Sequence, residues 1–308
     1  MNQQTIGHLI ALFTVSIWGT TFIATKILLE SFSPIEILFI RFFVGFLCLS
    51  VACPHLLRLK NKKQEIYFML AGICGVTLYF LFENIALTYT MASNVGVIVA
   101  ISPFFTALFS HIFNPGETLQ PRFFLGFLLA IGGIALISFN GQALQLNPLG
   151  DLLAAGAAIV WALYTILTRK IGSYGYPILQ TTRHIFFYGL LFMLPALLLM
   201  DFHPQWATIT APKNLANLLF LGMGASACCF ASWNMAVNIL DAVKTSIYIY
   251  LIPVITVISS ALILHEQITP LAVCGMLLTL LGLIISEGTL WQILRQRIKN
   301  NHQNQQNA

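Results

Sequence analysis

Apolar stretches of about 20 residues recur along the whole chain, separated by short polar or Gly/Pro-containing breaks. Each is long enough to cross a ~30 Å hydrocarbon core as a helix. The pattern predicts ten spans, at 6 to 29, 33 to 53, 66 to 88, 92 to 113, 122 to 139, 150 to 169, 177 to 200, 214 to 238, 243 to 264 and 270 to 290. Spans 3 and 4 are parted only by Thr88 to Met91, and spans 8 and 9 only by Leu240 and Asp241, so both pairs read as tight helical hairpins. The first stretch lacks a preceding basic region and a small-residue cleavage site, and it is longer than a signal-peptide core, so it reads as a retained helix.

Composition agrees with a bilayer as solvent. Of 308 residues, 58% are hydrophobic and 8% are charged, against roughly 25% charged in soluble domains. The net charge of +5 does not point to nucleic acid, because the basic residues sit in the loops between apolar spans. An even number of spans puts both termini on one side. Arg58, Lys60, Lys62, Lys63, Arg122, Arg169, Lys170, Lys244, Arg295, Arg297 and Lys299 fall on that side and only Lys213 on the other. This asymmetry predicts cytoplasmic termini in the inner (plasma) membrane. The six cysteines lie in or at the ends of apolar segments without metal-ligand spacing, which reads as small buried hydrophobes.

The two halves of the chain repeat each other. At an offset of 143, Trp18 falls on Trp161, Thr25 on Thr168, Lys26 on Arg169 and Pro34 on Pro177. At 150, Asn84 falls on Asn234, Ala86 on Ala236 and Pro103 on Pro253; at 149, Glu117 falls on Glu266, Gly126 on Gly275 and Gly133 on Gly282. The expected fold class is therefore an all-α integral membrane protein of two five-helix repeats, at 6–139 and 150–290, followed by a polar tail at 291–308. Five is odd, so the second copy enters the membrane from the opposite face, an architecture associated with alternating access.

The order of Trp18-Gly19-Thr20-Thr21-Phe22, Arg41-Phe42-Phe43, Asn84 to Thr90, Pro103 and Gly116-Glu117, with Trp161, Asn234, Pro253 and Glu266 as second-half counterparts, resembles the drug/metabolite transporter superfamily, in particular its ten-helix EamA-type members. The resemblance covers residues 6 to 290. It implies a secondary transporter of amino acids and other small metabolites, mostly by export, and no cofactor.

Candidate chemistry follows from what is costly at membrane depth. Ionisable groups there face the bundle interior, which isolates Arg41, Glu83, Arg183 and His184. Arg41 and Glu83 lie at similar depths, so two readings stand: a permanent ion pair that fixes helix register, or a carboxyl that takes up a proton or meets a substrate ammonium. Trp18, Thr21 and Thr25 share one helical face, and Trp161, Tyr164 and Thr168 repeat the spacing. An aromatic ring with inward hydroxyls suits an amphipathic metabolite. Asn84 and Asn234 either contact substrate or join helices. Trp233, Tyr248 and Tyr250 are further lining candidates, whereas Pro103 and Pro253 read as kinks. Gly116-Glu117 and His265-Glu266 read as span ends or gating contacts. His265 to Thr269 fails the HExxH zinc pattern, and neither a Gly-x-Ser-x-Gly turn nor a Walker A loop occurs, which argues against an intramembrane enzyme or an ATP-driven pump. A sensor, scaffold or passive channel stays open as the alternative. The partners expected are a small-molecule substrate and the lipid bilayer, with protons open.

Overall fold

A computed structural model describes residues 2–89, 95, 98–113, 120–139, 147–200, 202–263 and 269–287. Gly116-Glu117, His265-Glu266, the basic residues Arg295, Arg297 and Lys299, and the tail lie outside these residues, as does most of the predicted turn between spans 3 and 4. The described chain is helical: α1 (Gln3–Leu28), α2 (Pro34–Ala52), α3 (Glu65–Gly72), α4 (Tyr79–Tyr89), α5 (Ser102–Phe113), α6 (Pro121–Phe139), α7 (Pro148–Gly172), α8 (Ile178–Leu199), a short α9 (Trp206–Thr210), α10 (Pro212–Leu219), α11 (Cys229–Leu240), α12 (Ala242–Ser246), α13 (Leu251–Ile263) and α14 (Pro270–Glu287). Two π-helical segments, π1 (Ile73–Leu78) and π2 (Phe220–Cys228), join α3 to α4 and α10 to α11 into continuous spans. Seven helical stretches among the described residues are long and apolar enough to cross a membrane, and two shorter apolar helices, Pro121–Ile137 and Pro270–Ser286, accompany them. With α5, these account for the ten predicted spans.

Local chemistry sets the ends. Before α2, the Glu36 backbone N–H donates to Ser33 Oγ (3.4 Å) and the Ser33 N–H to Glu36 Oε2 (2.8 Å), a reciprocal cap with Pro34 in the first turn. Asn147 caps α7 by accepting from the Leu149 and Gly150 N–H groups, again ahead of a proline. The turn between α11 and α12 closes at Asp241, which takes φ +87°, uncommon for a residue other than glycine.

The two expected proline kinks take a different form. Pro103 and Pro253 are the second and third residues of α5 and α13. There the missing N–H falls in the first turn of an α-helical segment, where it has no α-helical acceptor, so each proline sits where the span changes its helical form. Ahead of Pro253 the backbone tightens to a 3₁₀ turn over Ile247–Tyr250.

The bundle exterior is apolar, with Val51, Leu198 and Leu199 all more than 80% exposed, as a lipid-facing surface requires. Inside, the sequence halves interlock instead of forming separate cores. Helices α1 and α2 pack on the span made of α10, π2 and α11, and α1 also packs on α13. Reciprocally, α7 and α8 pack on the span made of α3, π1 and α4, and α7 also packs on α5. Two bundles result, related by exchange of the halves, and each is built from both. The glycines show the same exchange. Gly45 of α2 lies against the Gly222 carbonyl of π2, and Gly189 of α8 against Val76 of π1. In the antiparallel pair α6 and α14, Gly126 faces the Gly282 carbonyl and Gly133 the Gly275 carbonyl, so the contact maps onto itself when the repeats are swapped.

Candidate functional site

The interface between the two bundles is filled by aromatic rings. Trp18 of α1, Trp161 of α7 and Trp233 of α11 form a triangle with ring centroids 5.4 Å (Trp18–Trp161), 5.2 Å (Trp18–Trp233) and 5.9 Å (Trp161–Trp233) apart. Phe230 lies 5.8 to 5.9 Å from Trp18, Trp161 and Tyr164, and Tyr79 stands 4.9 Å from Trp161. All three indoles are at most 9% exposed. Trp18 Nε1 donates to the Ala225 carbonyl in π2 at 2.9 Å. Among the described residues, Trp161 Nε1 and Trp233 Nε1 have no hydrogen-bond partner. A buried donor left so costs roughly 1–3 kcal/mol.

Polar groups ring this centre. Arg41 is buried, with Nε donating to Ser226 Oγ of π2 (3.1 Å) and the guanidinium carbon 4.7 Å from the Phe80 ring centre. Glu83 is also buried; it hydrogen-bonds Tyr79, one turn earlier on α4, and lies within electrostatic reach of Arg41. No Arg41–Glu83 contact within 4 Å occurs among the described ion pairs; the contacts of the guanidinium are the Ser226 hydroxyl and the Phe42 and Phe80 rings. Asn234 ties three helices together: Tyr164 Oη donates to its Oδ1 (2.9 Å), and its Nδ2 donates to Thr182 Oγ1 of α8 (3.1 Å).

A narrow crevice runs from Asn234 between α7, α8 and α11 past Thr168, Thr181 and Asn238 to Tyr176. Its open volume of about 10 Å³ is far too small for a metabolite. Arg169 clamps α7 to the end of α11 beside this crevice, its Nε 2.9 Å from Asp241 Oδ1 and its Nη1 donating to the Asn238 carbonyl at 2.6 Å.

The remaining candidates sit elsewhere. Arg183 donates to the Cys53 and His55 carbonyls at 2.5 and 2.7 Å, pinning the chain that leaves α2. His184 Nε2 meets Glu65 Oε1 at 2.6 Å, and the same oxygen accepts from Tyr188. Both residues are thus engaged near the end of the bundle that carries the basic loop, away from the tryptophans. Tyr248 pairs with His8 Nδ1 at 2.7 Å, and Tyr250 is buried in a second cluster with Ala107 and Phe123. Asn84 Nδ2 donates to the Pro34 carbonyl at 3.4 Å. The hydroxyls of Thr21 and Thr168 bond carbonyls of their own helices, at Trp18 and Thr165. Sequence reasoning missed Tyr79, Thr182, Phe230 and the Arg169–Asp241 clamp. Helical spacing from Glu83 would have pointed to Tyr79, but an isolated Phe or Thr in an apolar run carries no signal.

The fold and the sequence both match known proteins. A chain in a solved crystal structure superimposes with a TM-score of 0.77 over 91% of this chain and 97% of its own, at 19% identity, which speaks for the fold. A protein of Archaeoglobus fulgidus named an uncharacterized transporter is 28% identical over 93% of this chain and 98% of its own. A probable terminal-alkyne amino-acid exporter of Streptantibioticus cattleyicolor is 26% identical over 88% of this chain and 90% of its own. A probable amino-acid metabolite efflux pump of Escherichia coli is 25% identical over 92% and 95%. The profile of the EamA-like transporter family matches twice, at residues 5–139 and 148–287, the same two segments that interlock around the tryptophans. Duplicated helices, an apolar exterior and a double match over nearly the whole length lead to one assignment: the chain belongs to the EamA-like transporter family.

Proposed function

We propose that the protein is a secondary transporter that exports small amphipathic metabolites, amino acids or related compounds, across the inner membrane by alternating access, with both termini in the cytoplasm. One observation carries this reading. Trp18 and Trp161, equivalent in the two repeats, meet at 5.4 Å across the boundary between the bundles, with Arg41, Glu83, Tyr164 and Asn234 close by. A site on the axis that relates two exchangeable bundles is uncovered from one face or the other as they rock. Apolar rings with a few placed polar groups suit a compound that is part apolar and part charged. Relatives named as an amino-acid exporter and an amino-acid metabolite efflux pump support the substrate class and the direction. The moving bodies in this reading are the two mixed bundles; the repeats at 6–139 and 150–290 supply matching parts of each. Glu83, buried beside Tyr79 and Arg41, is the group placed to carry a proton.

Reconstitution into liposomes with a panel of labelled amino acids and related metabolites, with and without an imposed pH gradient, tests the reading. Saturable flux is expected, and Glu83→Gln is expected to lose its dependence on the pH gradient. Normal transport with an unchanged pH profile in Glu83→Gln removes that residue from coupling, and absence of flux across a broad panel shifts weight to a sensor or scaffold role.

A further inference from the structure

A second cavity, of about 610 Å³, opens where α2 and α8 meet the basic end of the bundle, distinct from the tryptophan centre. Its wall is built from both repeats: His55, Leu56, Arg58 and Lys60 from the segment between α2 and α3, Tyr176 from the α7–α8 turn and Gln180 from the first turn of α8. The segment is held in place by Arg183 on the Cys53 and His55 carbonyls and by the Lys60 backbone N–H, which donates to Tyr176 Oη at 2.8 Å. Lys60 Nζ lies 5.9 Å from the Tyr176 ring centre, so the ammonium is kept at the cavity wall. Among the described residues no acidic side chain lines it, and Glu65 of α3 is taken up by His184 and Tyr188.

Beside these charges the surface is apolar and open. Leu56 is 81% exposed, and Val51, at the end of α2, is 84% exposed. Cationic groups at the edge of the spans, continuous with outward-facing aliphatic side chains, match an occupant with an anionic head and an apolar tail. We infer that this cavity binds the phosphate headgroup of an anionic membrane lipid, with Arg58 and Lys60 on the headgroup and Leu56 along the acyl chain. Because residues of both repeats line it, the bound lipid holds the α2–α3 segment against α8. The inference does not depend on the transported substrate.

The test is thermal unfolding of the full-length protein in a neutral detergent, titrated with phosphatidylglycerol, phosphatidylcholine or inorganic phosphate. Phosphatidylglycerol is expected to raise Tm saturably, phosphatidylcholine much less, and phosphate not at all. Arg58→Gln and Lys60→Gln are each expected to raise the half-saturating lipid concentration roughly fivefold, in line with one lost cation near an anionic surface. Gln180→Glu, which leaves both cations in place and adds a like charge to the occupant's, is expected to weaken the response as well. Equal stabilisation by the two lipids, an equal effect of phosphate alone, or wild-type titrations in all three variants would overturn the proposal.

Discussion

Three tryptophans in one triangle differ in a single respect, the fate of the indole N–H. Trp18 donates to the Ala225 carbonyl, whereas Trp161 and Trp233 donate to nothing among the described residues. Replacing each by phenylalanine removes similar ring area but opposite hydrogen-bond consequences. Trp18→Phe removes a buried hydrogen bond, and Trp233→Phe removes an orphan donor, so Trp18→Phe is expected to be the less stable by roughly 1–3 kcal/mol. Comparing the two unfolding midpoints in detergent checks this; equal midpoints would mean that the bond to Ala225 adds nothing. Much of this triangle was legible, since Trp18 and Trp161 recur in one register of the repeat and Trp161 shares a face with Tyr164. What was not legible is that threonines at the same spacing turn their hydroxyls to their own backbones, as Thr21 does. A helix carbonyl one turn back is an acceptor always within reach, and spacing cannot show that it has been used.

Among the elements, α6 and α14 depend most on residues that are absent in volume. A Cβ on Gly126 would lie 2.5 Å from the Gly282 carbonyl oxygen, and one on Gly275 would lie 2.6 Å from the Gly133 carbonyl oxygen. Backbone cannot yield as a flexible side chain does, so Gly126→Val and Gly275→Val are both expected to push the helices apart. Each should cost roughly 1–3 kcal/mol, and the two losses should match because the sites are equivalent. A large loss of thermal stability in one and none in the other would contradict the exchange relation. The glycine register was readable from the repeat, and the span count from hydropathy. The π segments were not readable, because an extra residue in a turn leaves an all-apolar stretch all-apolar. The proline positions were visible, yet their outcome depended on where the helix began.

For the whole molecule, the interlocking of the repeats escaped sequence reasoning for a physical reason. In water an apolar face marks the side that packs; in a bilayer the lipid-facing side is apolar too, so periodicity does not say which helix meets which. That packing gives the Arg169–Asp241 clamp its meaning, since α7 belongs to one bundle and the α11–α12 turn to the other. Asp241→Asn is expected to loosen this end, so that a cysteine placed at Thr168 reacts with a thiol reagent about two- to fivefold faster than in the parent, the factor carried by ~0.5–1 kcal/mol of a partly exposed pair. An unchanged rate would show that the carbonyl contacts of Arg169 suffice. Within each bundle a π segment also ties one repeat to the other: Thr77 of π1 donates to the Gly189 carbonyl of α8, and Trp18 and Arg41 donate to Ala225 and Ser226 of π2. A π turn holds one residue more than the α turn it replaces, and expelling that residue would rotate everything beyond it by about 100° about the helix axis. Tyr79 and Glu83 lie just beyond π1, and Trp233 and Asn234 just beyond π2. Each wide turn thus sets the rotational phase of the span beyond it, so that the direction in which these rings and polar groups point hangs on one residue in the segment before them.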